Sequence, residues 1–259
     1  MQIAYFQMAG AGKARTQDAL FDGVAVHQVK LHKARRVANP RLPLRLAVAD
    51  GLFAAPAAAR ASRFWMDAFA AADDGGARFL RRTHPQFCAA LAAQYFGAAT
   101  TFASAVFADG GVSVCNVGDS RVYHIDTAGR WRQISHDHTV LAEMIERGEA
   151  QMGGDYAGIY GMLAHSLAAD WEADDFRIFV AEQPLATGET LLLCTDGLSD
   201  ALPHPQLQAL WQAHDDLPAR LEALRRAVRR VPYFDDCTVV AAAMTEQAGP
   251  GTPSGLQSG

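Results

Sequence analysis

Residues 100–135 read TTFASAVFADGGVSVCNVGDSRVYHIDTAGRWRQIS, and this stretch decides the fold class. Its apolar runs TTFASAVFA, VSVCNV, RVYHID and RWRQIS alternate with a period of two and are separated by short turns rich in glycine and aspartate. That period is typical of β-strands, and Gly and Asp at the breaks favour tight turns. The stretch therefore predicts an antiparallel meander.

Further strands and pairs of helices flank this stretch. Three early strands are predicted from the runs IAYF, ALFDGVAVHQV and LRLAVAD, and later strands from FRIFVAE, TLLLCT and CTVVAAAM. Residues 54–73 and 77–96 predict one pair of helices, the second interrupted or kinked at Pro85, and residues 204–214 and 217–231 predict another pair. Strands in runs with helices inserted in pairs indicate an α+β layered sandwich.

Composition limits the class of protein. The chain has 259 residues, of which 50% are apolar and 20% charged, so it can bury the core of one domain. We assign this domain to residues 1–245, with a surface excursion at about 139–167. Residues 246–259 are almost free of apolar side chains, which predicts a disordered tail.

Charge and hydropathy argue against nucleic-acid and membrane partners, and the cysteines indicate a reducing compartment. The net charge of −5 argues against a nucleic-acid partner, and the sequence has no apolar run long enough to span a membrane. The four cysteines are widely spaced and mostly lie in apolar runs, which favours buried, reduced thiols. We therefore expect a cytoplasmic protein that binds neither nucleic acid nor membrane.

Aspartates stand where predicted strands begin or end. Asp50 ends LRLAVAD, Asp196 ends TLLLCTD, and Asp119 follows VSVCNVG, while Asp18 and Asp235 precede other strands. Carboxylates that meet at the ends of buried strands repel each other unless they bind a cation, take up protons or pair with basic groups. Clusters of oxygen ligands suit Mg²⁺, Mn²⁺ or Ca²⁺. Alternatively, each aspartate only caps a turn.

Seven stretches occur in an order that resembles a known family. They are KARTQDALF, LAVADG, GAATTFASAVF, VCNVGDSRVY, ISHDHTV, LLLCTDGLSD and DDCTVV. Over roughly residues 3–244 the chain resembles the metal-dependent type 2C serine/threonine protein phosphatases (PPM), most closely the bacterial branch. The resemblance implies a four-layer α-β-β-α sandwich, in which two central antiparallel sheets are flanked by helix pairs.

The resemblance also assigns metal ligands. It implies that Asp50, Asp196 and Asp235 hold one Mn²⁺ or Mg²⁺ ion, that Asp50 and the Gly51 carbonyl reach a second, and that Asp119 contributes to a third. Such a site hydrolyses phosphoserine and phosphothreonine in proteins with a metal-bound water and no covalent nucleophile. A phosphoprotein substrate, a serine/threonine kinase in the same pathway and a monomeric state are the implied partners and assembly.

The N-terminal motif carries the remaining implied roles. The family's phosphate-binding arginine falls on Lys13, which keeps the charge but loses the bidentate fork, and Arg15 is the alternative. Gln17 and Asp18 are expected to support the metal site from behind the ligands. Because Gln17 is neutral where some relatives have a carboxylate, we expect the second ion to bind weakly.

Departures from the family pattern keep other functions open. Phe53 and Ala54 replace two glycines in DGLFA, which predicts strain if the backbone there has positive φ. A phosphatase-like binding module with little turnover and a hydrolase of small phosphate esters are the alternatives. CNVGDSR at 115–121 also fits the CxxGxxR loop of cysteine-dependent phosphatases, and HDH at 136–138 could bind a metal. We expect Cys115 to be a buried strand residue and Arg121 to be structural.

Overall fold

The computed structural model describes residues 1–38, 40, 43–108, 111–151 and 162–245. In chain order the strands are β1 (Gln2–Met8), β2 (Ala19–Phe21), β3 (Val26–His27), β4 (Arg35–Arg36), β5 (Arg45–Ala49), β6 (Ala99–Thr100), β7 (Phe102–Ala108), β8 (Gly111–Val117), β9 (Arg121–Ile125), β10 (Trp131–Gln133), β11 (Leu167–Ala168), β12 (Phe179–Gln183), β13 (Thr190–Cys194) and β14 (Cys237–Ala243). The helices are α1 (Ala58–Ala71), α2 (Ala77–Tyr95), α3 (Val140–Glu146), α4 (Asp196–Ser199), α5 (His204–Gln212) and α6 (Leu217–Val228).

Most strands belong to two six-stranded antiparallel sheets. Sheet 1 has the order β10-β9-β13-β14-β1-β4, and sheet 2 has the order β12-β8-β7-β5-β2-β3. A small pair, β11 and β6, lies beside them. The predicted α+β fold with two central antiparallel sheets is confirmed.

Each central strand is apolar on both faces because each sheet is covered on both sides. In β13, Leu191 and Leu193 belong to the core between the sheets, whereas Leu192 and Cys194 face the helices α5 and α6. Side chains alternate across a strand, so a continuous apolar run such as TLLLC supplies two cores at once. The same division in sheet 2 places a third core under α1 and α2, around Trp65. The layers therefore run α-β-β-α, as predicted.

Both helix pairs form close to the predicted bounds. Helix α2 runs unbroken through Pro85, so the predicted division at that proline is wrong.

The segment ALFDGVAVHQV, predicted as one strand, is instead the short hairpin of β2 and β3. Asp22 bends it by accepting hydrogen bonds from the backbone N–H groups of Val24 and Ala25, each at 2.8 Å.

The predicted meander is also wrong, in a way that matters for the site. Strands β7 and β8 pair in sheet 2, whereas β9 and β10 pair in sheet 1, so residues 118–120 carry the chain from one sheet to the other. The alternating pattern identified the strands but not their partners, because both sheets bury both faces. Asp119 consequently lies at the junction of the two sheets. The tail at 246–259, which the sequence predicts to be disordered, lies outside the described residues. So does most of the glycine-rich part of the excursion predicted at about 139–167.

Candidate active site

Strand register brings the acidic motifs to one end of the sandwich. In sheet 1, Met8 pairs with Cys237, Val239 with Cys194, and Cys194 with Arg121. In sheet 2, Ala19 pairs with Ala49, Val48 with Ala103, and Phe102 with Val117. The residues just beyond these ends are those that the sequence analysis selected. They meet without any long loop, because each is only one or two residues from a paired strand end.

A cavity of about 400 Å³ lies at this end of the sandwich. Its lining includes every predicted metal ligand and two residues of the N-terminal motif, namely Lys13, Gln17, Asp50, Gly51, Asp119, Asp196 and Asp235. Asp18 lies buried behind this wall, with none of its surface exposed. Arg15 is exposed and does not line the cavity, whereas Lys13 does.

The backbone of Asp50 is held in place by two threonines, Thr100 at the end of β6 and Thr101 just before β7. Its N–H donates to Thr101 Oγ1 at 3.0 Å, and its carbonyl accepts from the Thr101 N–H at 2.9 Å and from Thr100 Oγ1 at 2.6 Å. With the main chain fixed by three hydrogen bonds, the carboxylate is free to face the cavity. This arrangement gives the GAATTF motif a structural role at the site.

The carboxyl groups around the cavity repel each other. Desolvation by the surrounding protein, with the charges of Asp196 and Asp18 adding to it, raises the pKa of Asp50 well above its ordinary value. The same desolvation, with the nearby Asp200, raises the pKa of Asp196 to about 6. Burial followed by the charge of Asp236 raises the pKa of Asp18 to about 8. Negative charge at this site is therefore under-compensated by the protein itself.

Asp119 belongs to the same electrostatic group. Burial and then the charge of Asp196 raise the pKa of Asp119 to about 8. Asp18 adds an unpaired acceptor, since its Oδ1 is buried and has no hydrogen-bond donor among the described residues, while its Oδ2 accepts from Thr195 Oγ1 at 2.9 Å. Hard oxygen donors whose negative charge the protein only partly offsets fit a divalent cation such as Mg²⁺ or Mn²⁺.

The carboxylates do not form a closed cage. Within the part of the chain that the structure describes, no group of three or more His, Cys, Asp or Glu side chains is arranged to hold a metal ion by itself. The aspartates surround an open cavity, so ions held there would share their coordination among single carboxylate oxygens, the Gly51 carbonyl and water. This is the arrangement that Mg²⁺-type ions adopt when they keep several waters.

Lys13 is tied to the two aspartates that precede β14. Its Nζ lies 2.5 Å from Asp235 Oδ1 and 3.3 Å from Asp236 Oδ2. Burial disfavours the charge on Lys13, but its hydrogen bond to Asp235 and the charges of Asp236 and Asp235 outweigh this and raise its pKa. Lys13 therefore stays charged beside the cavity and partly neutralises Asp235, whose side chain is 58% exposed.

Asp236 is a functional residue that the sequence analysis missed. It is buried, and its carboxylate accepts the N–H groups of Gly10 and Gln17, both at 2.7 Å. These bonds attach the loop that carries Lys13 and Gln17 to the start of β14. The doublet FDD was the only available signal, and it does not reveal which aspartate faces the cavity and which faces the protein.

Two glycines are required by close backbone packing. A Cβ at Gly51 would lie 2.6 Å from the Ala58 carbonyl oxygen, and one at Gly197 would lie 1.9 Å from the Asp236 carbonyl oxygen. Any larger residue would force the start of α1 or the 235–236 loop away from the site. The DG pairs therefore serve to bring their aspartates close to neighbouring backbone.

The DGLFA loop does not carry the strain that the family glycines suggested. Ala55 N–H donates to the Leu52 carbonyl at 2.9 Å, which makes Phe53 and Ala54 the central residues of a turn. Neither has positive φ; among the described non-glycine residues, the positive values are at Ala57 (52°) and Tyr233 (59°). The turn is thus one that ordinary residues adopt, and it directs Phe53 outward with 78% of the residue exposed.

The thiolate mechanism considered for CNVGDSR does not fit the structure. Cys115 is buried in β8, and burial raises the pKa of its thiol to about 12. Arg121 is held by Asp137, with Arg121 Nη2 at 2.6 Å from Asp137 Oδ2. A neutral buried thiol and an arginine already paired cannot form a phosphate-binding nucleophilic loop. Cys115 is a strand residue and Arg121 is structural, as expected.

The HDH motif also has structural partners. His138 Nδ1 accepts the N–H of Gly118 at 3.1 Å, and burial, with the nearby His136 and His165, lowers the pKa of His138 to about 4. His138 is therefore neutral at physiological pH and supports the turn that carries Asp119. The motif fixes the junction between the sheets.

A larger groove of about 770 Å³ adjoins the active-site cavity. The two share Asp119 and Asp196, and the groove continues under α3, where Leu141, Ala142 and Ile145 line it. Helix α3 is attached to the body by His136–Glu146 and His165–Glu143 contacts at 3.0 and 3.1 Å. A polypeptide side chain at the acidic cavity would thus have a neighbouring, partly apolar channel.

None of the helices in the described ranges has both the length and the apolar character needed to cross a membrane. All four cysteines are buried and free, as the sequence analysis predicted.

Comparison with curated proteins shows related phosphatases. The serine/threonine phosphatase stp of Listeria innocua is 28% identical over 148 residues, which make up 56% of this chain and 56% of that protein. The same protein of Listeria monocytogenes has the same identity and coverage. The chain thus spans only 56% of the length of the curated relatives that it matches.

Solved structures share the whole fold. Stp1 from Staphylococcus aureus superimposes with a TM-score of 0.74 at 20% identity, covering 95% of this chain and 96% of that one. The catalytic domain of the phosphatase PstP in complex with two manganese ions gives a TM-score of 0.69 at 20% identity, covering 95% of this chain and 100% of that one. The family model described as Protein phosphatase 2C matches residues 32–230, which are more than half of the sequence, and the chain therefore belongs to the protein phosphatase 2C family.

Proposed function

We propose that this protein hydrolyses phosphoserine and phosphothreonine in proteins, using two divalent ions, with a third at Asp119. The observation that carries the proposal is the cavity where aspartates from both sheets meet with raised pKa values beside one charged lysine. The manganese-bound structural relative supports Mn²⁺ as one ion that such a site accepts. Cytoplasmic location, a monomeric state and a kinase in the same pathway belong to the same proposal.

Each group at the cavity has a distinct task in this reaction. Asp50, Asp196 and Asp235 would hold one ion, and Asp50 with the Gly51 carbonyl a second. When bound, the ions supply positive charge to the phosphate oxygens and lower the pKa of the attacking water. Asp18 and Asp236 keep the ligands and the 10–17 loop in position. Lys13 neutralises a phosphate oxygen, since it is the charged base that lines the cavity.

The direct test compares a phosphothreonine peptide with methyl phosphate, with and without Mn²⁺. Manganese-dependent hydrolysis with kcat/KM higher for the peptide is the expected result. Hydrolysis of neither substrate would identify a binding module, and equal use of both would identify a hydrolase of small esters. The adjoining groove under α3 favours the peptide, because methyl phosphate cannot reach it.

Replacing Lys13 by Ala is expected to raise KM for the phosphopeptide about tenfold with a smaller fall in kcat, since a charged hydrogen bond to phosphate acts in ground and transition states alike. Lys13→Arg should retain most of the affinity. Arg15→Ala is the matched control, because Arg15 is exposed outside the cavity. A loss confined to the Arg15 variant would show that the phosphate binds elsewhere on the loop.

Replacing Gln17 by Glu is expected to lower the Mn²⁺ concentration for half-maximal activity by about threefold or more, because oxygen sites gain affinity with each charged ligand. Gln17 lines the cavity, and its backbone N–H is held by Asp236, so its side chain is placed to act. Calorimetric titration with Mn²⁺ checks the change independently of turnover. An unchanged or weaker affinity would mean that residue 17 does not reach the ions.

A further inference from the structure

The rim of the active-site cavity carries an exposed aromatic residue that the fold does not bury. Phe53 lines the cavity, yet 78% of the residue is exposed. Its turn is unstrained and is closed by the Leu52–Ala55 hydrogen bond, to which the Phe53 side chain contributes nothing. Because Phe53 stands at the cavity where the substrate is proposed to bind, a bound substrate would cover apolar surface that the fold leaves in water.

The surroundings of Phe53 divide the cavity into two chemically different walls. Asp50, Asp119, Asp196 and Asp235 form the acidic wall. Leu52, Phe53, Met162 and Leu163 form an apolar wall, of which Met162 is 52% exposed. A ligand that contacts both sets of lining residues would present an anionic group to the ions and Lys13, and an apolar group to Phe53 and its apolar neighbours.

The distance from Lys13 to the Phe53 ring limits where that apolar group can be. Lys13 Nζ lies 5.5 Å from the centre of the Phe53 ring. Successive Cα atoms in a peptide are about 3.8 Å apart. When Lys13 holds the phosphate, the side chain that reaches Phe53 is therefore that of a residue directly beside the phosphorylated one.

We infer that Phe53 is a specificity residue, which selects phosphoprotein sequences with an aromatic or large aliphatic residue next to the phosphoserine or phosphothreonine. The inference rests on the proposed phosphatase activity and adds a substrate class to it. Phe53 binds the neighbouring side chain and takes no part in the chemical step. Its contact with that side chain is of the aromatic type, which adds to the burial of apolar surface.

The test uses two phosphothreonine peptides that differ only beside the phosphorylated residue, with Phe on both sides in one and Ala on both sides in the other. The wild-type protein with Mn²⁺ is expected to show a kcat/KM about three- to tenfold higher for the Phe peptide. Phe53→Ala should bring this ratio close to one, because it lowers kcat/KM for the Phe peptide more than for the Ala peptide. Phe53→Leu should restore part of the ratio, because it keeps an apolar surface.

Phe96→Ala is the matched control. Phe96 is 65% exposed but lines neither the active-site cavity nor the groove under α3, so its variant should keep the wild-type ratio. Hydrolysis of both peptides at equal kcat/KM, or a ratio that survives in Phe53→Ala, would overturn the inference and leave the phosphatase activity standing. Hydrolysis of neither peptide would overturn the proposed function together with the inference.

Discussion

Asp196→Asn is expected to lower manganese-dependent kcat/KM toward a phosphothreonine peptide by about 100-fold or more. Loss of a residue that only supports a metal ligand already costs about 10- to 100-fold in affinity or activity, and the proposed role of Asp196 is direct contact with the ions. It lines both the active-site cavity and the groove under α3.

The same variant is expected to stabilise the metal-free protein. Burial and the neighbouring Asp200 raise the pKa of Asp196 to about 6, so its charge opposes folding at pH 7.5. Asn keeps the shape without the charge, and we expect the Tm in chelator to rise by about 2–4 °C, the equivalent of ~1 kcal/mol in a chain of this size. Gain of stability with loss of turnover is the signature of a residue kept for function.

Asp67→Asn is the control for both measurements. Asp67 lies on α1, pairs with Arg63 at 2.8 Å and has a 53% exposed side chain. Its replacement should change neither kcat/KM nor Tm appreciably, because exposed ion pairs contribute little. If Asp196→Asn retained turnover near that of Asp67→Asn, the assignment of Asp196 as a metal ligand would be wrong.

Secondary structure was predictable where the apolar pattern had one interpretation. The run TLLLC could only be a strand buried on both faces, and the Phe64–Phe69 stretch with its helical spacing could only be a helix face. Strand pairing was not predictable in the same way. The turn at 118–120 connects β8 and β9 across two sheets, and nothing local distinguishes this from a hairpin. Besides its neighbour in the chain, β8 pairs with β12 and β9 pairs with β13, and both of these partners are more than 40 residues away.

The site was predictable as a set of residues but not as a geometry. Asp50, Asp119, Asp196 and Asp235 do meet at one cavity, since each adjoins a paired strand end. The sequence FDD did not predict that Asp235 faces the cavity and Asp236 is buried, because the burial of Asp236 depends on the loop that it binds at Gly10 and Gln17. Their roles as metal ligands are still predictions, as is the role of Lys13.

The replacement of two family glycines by Phe53 and Ala54 in DGLFA did not have the predicted effect on the backbone. The family glycines suggested positive φ and strain at Phe53, whereas the loop forms an ordinary turn and the positive φ lies at Ala57, immediately before α1. Loss of glycine thus changed the surface of the site without distorting its backbone. An exposed phenylalanine is the result, and the consequence to examine is substrate choice.

In chelator, the Tm of the protein is expected to fall by about 4 °C as the pH rises from 6.5 to 8, and excess Mn²⁺ should raise the Tm more at pH 8 than at pH 6.5. The pKa values of Asp18 and Asp119 are raised to about 8 by burial and neighbouring carboxylates, against about 3.9 in an unfolded chain. The folded state therefore holds more protons than the unfolded state up to about pH 8. Stability must decrease as pH rises through that range and level off above it.

The pH range is chosen to separate these carboxyls from His138. The pKa of His138 is lowered to about 4, so below pH 6.5 its imidazole binds a proton more readily in the unfolded chain than in the folded one. The stability that His138 contributes is therefore lost as the pH falls from about 6.5 to 4, opposite in direction to the effect of the carboxyls. Above pH 6.5 only the carboxyls contribute among these groups. Asp18→Asn should flatten the dependence of Tm on pH in chelator, and its side chain can still accept the hydrogen bond from Thr195. A wild-type Tm that stayed level or rose between pH 6.5 and 8 would show that the carboxyl groups do not destabilise the fold by their own repulsion. Divalent ions would then not be needed to relieve that repulsion, and the electrostatic argument for the metal site would fail.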